Sequence, residues 1–366
     1  MRLDRPDSTA SDRRAVVVWL LLCAAMVFAM VVVGGVTRLT HSGLSIVEWQ
    51  PLVGTIPPLS PADWEALFAK YRETPEFRLV NFDIGLEGFK RIFWWEYTHR
   101  LLGRVVGVVF LVPFLWFLSR GRLDRPLAWR LAGVFAIGAL QGALGWVMVQ
   151  SGLVDDPRVS HFRLTAHLGL ALAIFAAELW IALGLLAPVE RGRSAAPSFS
   201  FALSIAGLVF VMALSGGMVA GLRAGSAYNT FPLMNGHLVP PEILALEPWW
   251  KNFLYNMATV QFVHRSIAWL LIVVVALFWW RMRAVELGAR QRLSCNLLLA
   301  ALALQVALGV ATLLLAVPVA LAAAHQAGAV ILLATALWVA NEVRTPSAAP
   351  AARVDSSHAA RAHRAT

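Results

Sequence analysis

Four histidines occur where histidines are rare. His99, His167, His264 and His325 each fall within, or at the lip of, a long apolar run of this 366-residue chain. An ionisable side chain in such a run is costly and marks a site by default. A single one is often just an interhelical hydrogen bond. Four of them, two in each half of the chain at matching positions, call for a shared chemistry. Two imidazoles from facing helices of a bundle suit a haem iron, which takes one nitrogen from each side in an apolar slot. Zinc needs three or four ligands, and nothing nearby supplies them. Copper accepts imidazoles, but the methionines show no matching spacing. Gly103 and Gly107 follow His99, and Gly328 follows His325, at helical intervals. They would let a flat macrocycle approach the backbone, or serve ordinary helix packing.

Arg100 and Arg265 each follow a histidine directly. They are candidate partners for haem propionates, because guanidinium matches carboxylate bidentately; the alternative is snorkelling to lipid headgroups. Arg38 and Arg223 are weaker candidates for the same role, and His41, His161 and His237 read as loop residues. One position breaks the match between the halves. Glu96 precedes His99 by three residues, whereas Gln261 precedes His264 by three, and each shares a helix face with its histidine. An interface glutamate is commonly just solvated. Beside a histidine and in one half only, it suggests that one half performs chemistry, with Glu96 as its catalytic residue.

The elements that carry these residues are apolar helices. Hydrophobic residues make up 59% of the chain, charged residues only 14%, and the mean hydropathy is +0.67. Soluble domains carry about a quarter charged residues, so this is a polytopic membrane protein. Eight runs, at about 15–36, 97–118, 131–150, 164–187, 199–220, 260–280, 294–317 and 323–343, each approach the length of a membrane span. The runs repeat. Gly34-Gly35 matches Gly216-Gly217, and Gly43 matches Gly225. Gln141 and Gly145 match Gln305 and Gly309, and His167 matches His325. The expected fold is therefore all-α: eight transmembrane helices as two tandem four-helix bundles in a parallel repeat. The N-terminal half is 1–187 and the C-terminal half 188–345, and the small polar tail 346–366, with His358 and His363, is expected to be disordered in the cytoplasm.

The net charge of +10 reflects orientation rather than nucleic acid. Arginines crowd the short connections and both termini (Arg120, Arg122, Arg125, Arg130, Arg281, Arg283, Arg290, Arg292), whereas the long connections hold all three lysines. That is the positive-inside pattern, with both termini cytoplasmic. Cys23 and Cys295 lie in separate spans, so no structural disulfide is expected. In the first long connection, Ser60-Pro61 reads as a helix start. Trp64, Leu67, Phe68 and Tyr71, and again Leu86, Phe89, Ile92 and Phe93, suggest two amphipathic helices lying on the outer surface.

The run GGVTRLTHSGLSIVEWQPLVGTIPPLS, followed by WWEYTHRLLGR, FRLTAHLGLAL, VQFVHR and AAAHQAGA, resembles haem A synthase of the proteobacterial and mitochondrial type. The resemblance spans Val33 to about Trp338. It implies oxidation of the C8 methyl of haem O to the formyl of haem A, for cytochrome oxidase. It further implies a resident haem b on His264 and His325, and haem O as substrate on His99 and His167, with Glu96 matching the family's essential acidic residue. The implied partners are membrane lipid, an electron donor, haem O synthase and cytochrome oxidase assembly factors, with no nucleic acid. Some relatives carry a cysteine pair in an outer loop; this chain has none there, so no thiol role transfers. Acidic Asp4, Asp7 and Asp12 and the lack of a transit-like leader favour a bacterial inner membrane.

The residues alone leave rivals open. A two-haem electron carrier explains the four histidines but leaves the Glu96–Gln261 difference idle. A haem transporter fits a parallel repeat, but predicts a polar path where the inner halves of the spans offer little beyond Glu178.

Overall fold

The computed structural model describes residues 10–48, 53–154, 157–186 and 196–344. Their helices are α1 (Ala10–Leu39), α2 (Pro61–Arg72), α3 (Pro75–Leu79), α4 (Leu86–Ser119), α5 (Arg125–Gln150), α6 (His161–Leu186), α7 (Ala196–Gly221), α8 (Asn252–Tyr255), α9 (Met257–Arg283), α10 (Ala289–Leu314) and α11 (Val319–Arg344). No strand occurs among the described residues, only an isolated bridge between Met234 and His237. Eight helices (α1, α4 to α7 and α9 to α11) are long and apolar enough to cross a membrane, one for each expected run. The 346–366 tail and most of the join between the halves lie outside the described residues.

Local chemistry starts and stops these helices. Ser60 caps α2 in a reciprocal box with Asp63, and Pro61 opens its first turn. Asp124 accepts from Leu127 N to cap α5, and Asn256 accepts from Ala258 N and Thr259 N to cap α9. After α4, Gly121 adopts φ +65, and the amide of Arg122 closes back on Phe117 O, a left-handed stop that glycine makes without strain.

The packing is the same in both halves. In the first, α1 lies against α4 and α6, and α5 against α4 and α6. In the second, α7 lies against α9 and α11, and α10 against α9 and α11. Between the halves α1 meets α11, α7 meets α6, and α6 meets α11. Exchanging the halves maps these contacts onto themselves, as a pseudo-two-fold passing between α6 and α11 requires. The shared core includes Trp19, Leu20, Phe110, Phe114, Phe175, Ile205 and Phe278, all buried. Val108, Val112, Leu304 and Trp280 are exposed, the outward apolar surface that lipid accepts.

The second amphipathic segment of the first long connection is not a separate surface helix. Leu86 to Phe93 forms the first turns of α4, which runs 34 residues, or about 51 Å at the helical rise, against a hydrocarbon thickness of about 30 Å. The excess stands beyond the bundle at what we term the loop end, where the long connections emerge. There α2 and α3 pack on it through Tyr71, Phe89 and Phe93, which are buried among Trp64, Phe68 and Phe77. Phe89 is shielded by this platform rather than by lipid. His161, expected in a loop, is the first residue of α6, its ring against Phe162 and Tyr255.

Candidate functional site

All four histidines sit towards the loop end of their helices, and each ring abuts a glycine on a neighbouring helix. A Cβ built on Gly34 of α1 would lie 2.8 Å from Nε2 of His99, and one on Gly216 of α7 would lie 3.3 Å from His264. On Gly145 of α5 it would lie 2.9 Å from His167, and on Gly309 of α10 2.8 Å from His325. The glycines that mark the repeat in the sequence are thus the surfaces on which the imidazoles rest. Gly328 instead packs tightly on Gln305, Gly103 touches Met30, and only Gly107 faces open space. Helix packing accounts for Gly328 and Gly103.

The histidines pair within halves. His99 and His167 are close enough for their charges to interact, and so are His264 and His325. Gln141 Nε2 donates to the carbonyl of His167 at 3.0 Å, and Gln305 Nε2 to that of His325 at 2.9 Å, fixing the helix turn that presents each ring. Ser215 Oγ lies 2.8 Å from Nδ1 of His264, whereas Nδ1 of His167 and of His325 is buried without a partner. Two facing imidazoles with unclaimed ring nitrogens fit a bis-imidazole haem. Among the described residues no cluster of three or more metal-binding side chains occurs, which a zinc site would need.

Beside each pair the chain builds a matched arginine clasp. Arg100 Nη2 donates to Ile46 O at 2.8 Å and Nη1 to Glu48 O at 3.1 Å. Arg265 Nη2 donates to Tyr228 O at 2.8 Å and Nη1 to Thr230 O at 2.9 Å, the repeat-equivalent carbonyls. Both arginines therefore tie the loop after the first helix of their half to the histidine-bearing helix, while Arg265 Nε remains buried and unpartnered. Arg38 and Arg223 lie near one another and near His41.

Glu96 is not a solvated interface carboxylate. It is 2% exposed and accepts four hydrogen bonds. Ser45 Oγ and Ile46 N donate to Oε2, each at 2.8 Å, and Arg100 donates to Oε1 through Nε at 3.0 Å and Nη2 at 2.6 Å. Donors thus reach both of its oxygens, two of them from a guanidinium. In the second half Gln261 Nε2 donates to Ala224 O at 3.0 Å, and its Oε1 lies a loose 3.4 Å from Arg265 Nη2. The clasp thus has the same form in both halves, with a buried carboxyl in the first and a buried amide in the second.

An all-helical bundle of two like halves, each presenting a facing histidine pair at one end of its spans, defines a multi-span membrane protein with two imidazole-lined sites. Residues 17–337 match the family model described as "Cytochrome oxidase assembly protein", and the chain belongs to that family. It is 59% identical over 344 residues to "Heme A synthase" of Nitrosospira multiformis, covering 93% of this chain and 96% of that protein. It is 54% identical to the protein of the same name from Nitrosomonas eutropha (92% and 96% covered), and 49% identical to that from Rhodospirillum centenum (93% and 91% covered).

Proposed function

We propose that the chain is a haem A synthase, which converts the C8 methyl of haem O to a formyl group and thereby supplies cytochrome oxidase assembly. The observation that carries this reading is the unequal pair of equal sites: two facing histidine pairs in matched clasps, with a buried carboxylate beside one only. A pure electron carrier would have no use for that difference. The similarity to proteins named "Heme A synthase" supports the same conclusion.

In this reading His99 and His167 of the N-terminal half hold haem O as substrate, and His264 and His325 of the C-terminal half hold a resident haem b. His264 and His325 would hold haem b, which when bound would supply electron transfer. Glu96, fixed by four donors, presents a preorganised carboxyl that stabilises positive charge developing on the substrate edge, an effect that works best in a water-poor site. Gly34 and Gly145 seat the two substrate-side rings. Arg100 holds Glu96 and the 45–48 loop together, and its remaining donor capacity is open to a propionate. The arginine-rich short connections face the cytoplasm, which puts both sites near the outer face of a bacterial inner membrane. An electron acceptor or donor and the enzyme that makes haem O complete the set of partners.

Pigment analysis of ligand variants tests the assignment. His264→Ala and His325→Ala should each remove or strongly perturb the low-spin b-type spectrum of the purified protein. His99→Ala and His167→Ala should spare that spectrum and abolish haem A. Full retention of the b-type spectrum in both C-terminal variants would overturn the division of labour.

A further inference from the structure

A second buried carboxyl, Glu76, lies within electrostatic reach of Glu96 and has no part in the clasp. Glu76, on the first turn of α3, is 3% exposed, and its Oε2 has no hydrogen-bond partner. Its position is built: Thr74 caps the turn through Phe77 N, Pro75 opens it, and Val80 N and Asn81 N both return to Glu76 O. Phe77 anchors the same turn on Phe68 and Tyr71 in the aromatic platform. The charged and titratable groups facing Glu76 are Tyr71 of α2, Glu96 of α4 and Arg223 beyond α7. Tyr71 OH accepts from Asn81 Nδ2 and gives Glu76 no hydrogen bond of its own.

The two buried carboxyls are opposites. Glu96 has donors on both oxygens. Glu76 has a buried oxygen with no donor, so its charged form is penalised by desolvation and by the Glu96 charge, against a weaker pull from Arg223. Burial pushes its carboxyl up to about 8, within reach of working pH. A buried acid that can hold or release a proton near neutrality is the equipment of a proton carrier.

We propose that Glu76 is the proton-accepting group of the first-half site, passing protons from that site to the aqueous phase at the loop end. This rests on the reading of the N-terminal half as the place where a methyl becomes a formyl, with its electrons drawn off to a one-electron acceptor and its oxygen taken from water, so that the methyl and one water yield the formyl, electrons for the acceptor and an equal number of protons that must leave the site. In the step itself the oxygen of a water at the site bonds the oxidised methyl carbon as one of its O–H bonds breaks, and the Glu76 O–H bond forms with the released proton. That bond then breaks to a water outside, and no electron changes owner. Glu76 acts through water and is a positioning and relay residue, whereas Glu96 is held in place by its four donors.

The test uses the purified full chain with its pigments. The infrared spectrum of the wild type minus that of Glu76→Gln, which cancels the buried Glu178 carboxyl common to both, should contain a protonated-carboxyl band that disappears as pH rises through about 8. Haem A formation by the wild type should rise through the same pH range. In Glu76→Gln it should be lower by roughly a hundredfold, the lower end of proton-transfer assistance, with that pH limb lost and the b-type spectrum unchanged. Glu76→Asp should recover part of the rate. A Glu76→Gln variant that makes haem A at the wild-type rate across the pH range, or a wild-type band that does not titrate, overturns the relay. Wild-type protein that makes no haem A at any pH contradicts the functional reading instead, so the two failures are distinct.

Discussion

The Glu96 carboxylate concentrates the difference between the halves. Its four hydrogen bonds make a loop-anchoring role and an electrostatic role compatible, and one substitution separates them. Glu96→Gln keeps the size and reproduces what Gln261 already does beside Arg265 at 3.4 Å, an arrangement the same fold supports. The variant should insert normally and retain its b-type haem. It should lose haem A production by on the order of a hundredfold, the usual scale for removing one preorganised charge or donor, with haem O or a partly oxidised product accumulating. Production near wild type would leave Glu96 as an anchor only. Glu76 carries a stability prediction with a defined sign. Its folded-state carboxyl, at about 8 against 4.5, keeps a proton that the unfolded chain has released. Stability therefore falls as pH rises from about 4.5 to about 8 and levels off above. Melting of the detergent-solubilised protein should show this slope in the wild type and a shallower one in Glu76→Gln.

At the scale of the helix, the glycine-backed histidine is the repeated device. The histidines and their repeat could be read from residue order, because ionisable side chains in apolar runs are conspicuous and tandem matches need no coordinates. The glycines were visible as repeat markers, but that Gly34, Gly145, Gly216 and Gly309 each carry an imidazole is a tertiary fact. So is the burial of Glu96, since its donors Ser45 and Ile46 lie about fifty residues away in the chain. The continuity of Leu86–Phe93 with the span of α4 is hidden in the sequence for a related reason: hydropathy records a helix crossing hydrocarbon, not one continuing past it under other segments of its own chain. The glycine contacts give a graded test. Gly309→Val should displace the His325 ring, destabilise the protein by about 1–3 kcal/mol and weaken or remove the b-type spectrum. Gly34→Val should displace His99, leave the b-type spectrum in place and abolish haem A. Identical spectra in the two variants would show that the rings are not seated by these glycines.

Over the whole molecule, the eight spans and their pairing follow from composition and repeat, because a bilayer leaves helices as the only open-chain solution. Orientation rests on arginine placement. A reporter active only in the cytoplasm should work when fused at the C-terminus and fail when inserted within 60–75, and the reverse would put both sites at the opposite face. The pseudo-two-fold makes the two halves alike in scaffold, so the difference in task proposed for them rests on a few residues, Glu96 and Glu76 among them. The most direct measurement is the haem extracted from cells that make haem O but no haem A, with this chain expressed or absent. The account predicts that haem A appears only when the chain is present, alongside haem B bound to the purified protein. Haem O left unconverted, with purified, folded protein carrying two equivalents of haem B, would contradict it and identify the chain as an electron carrier.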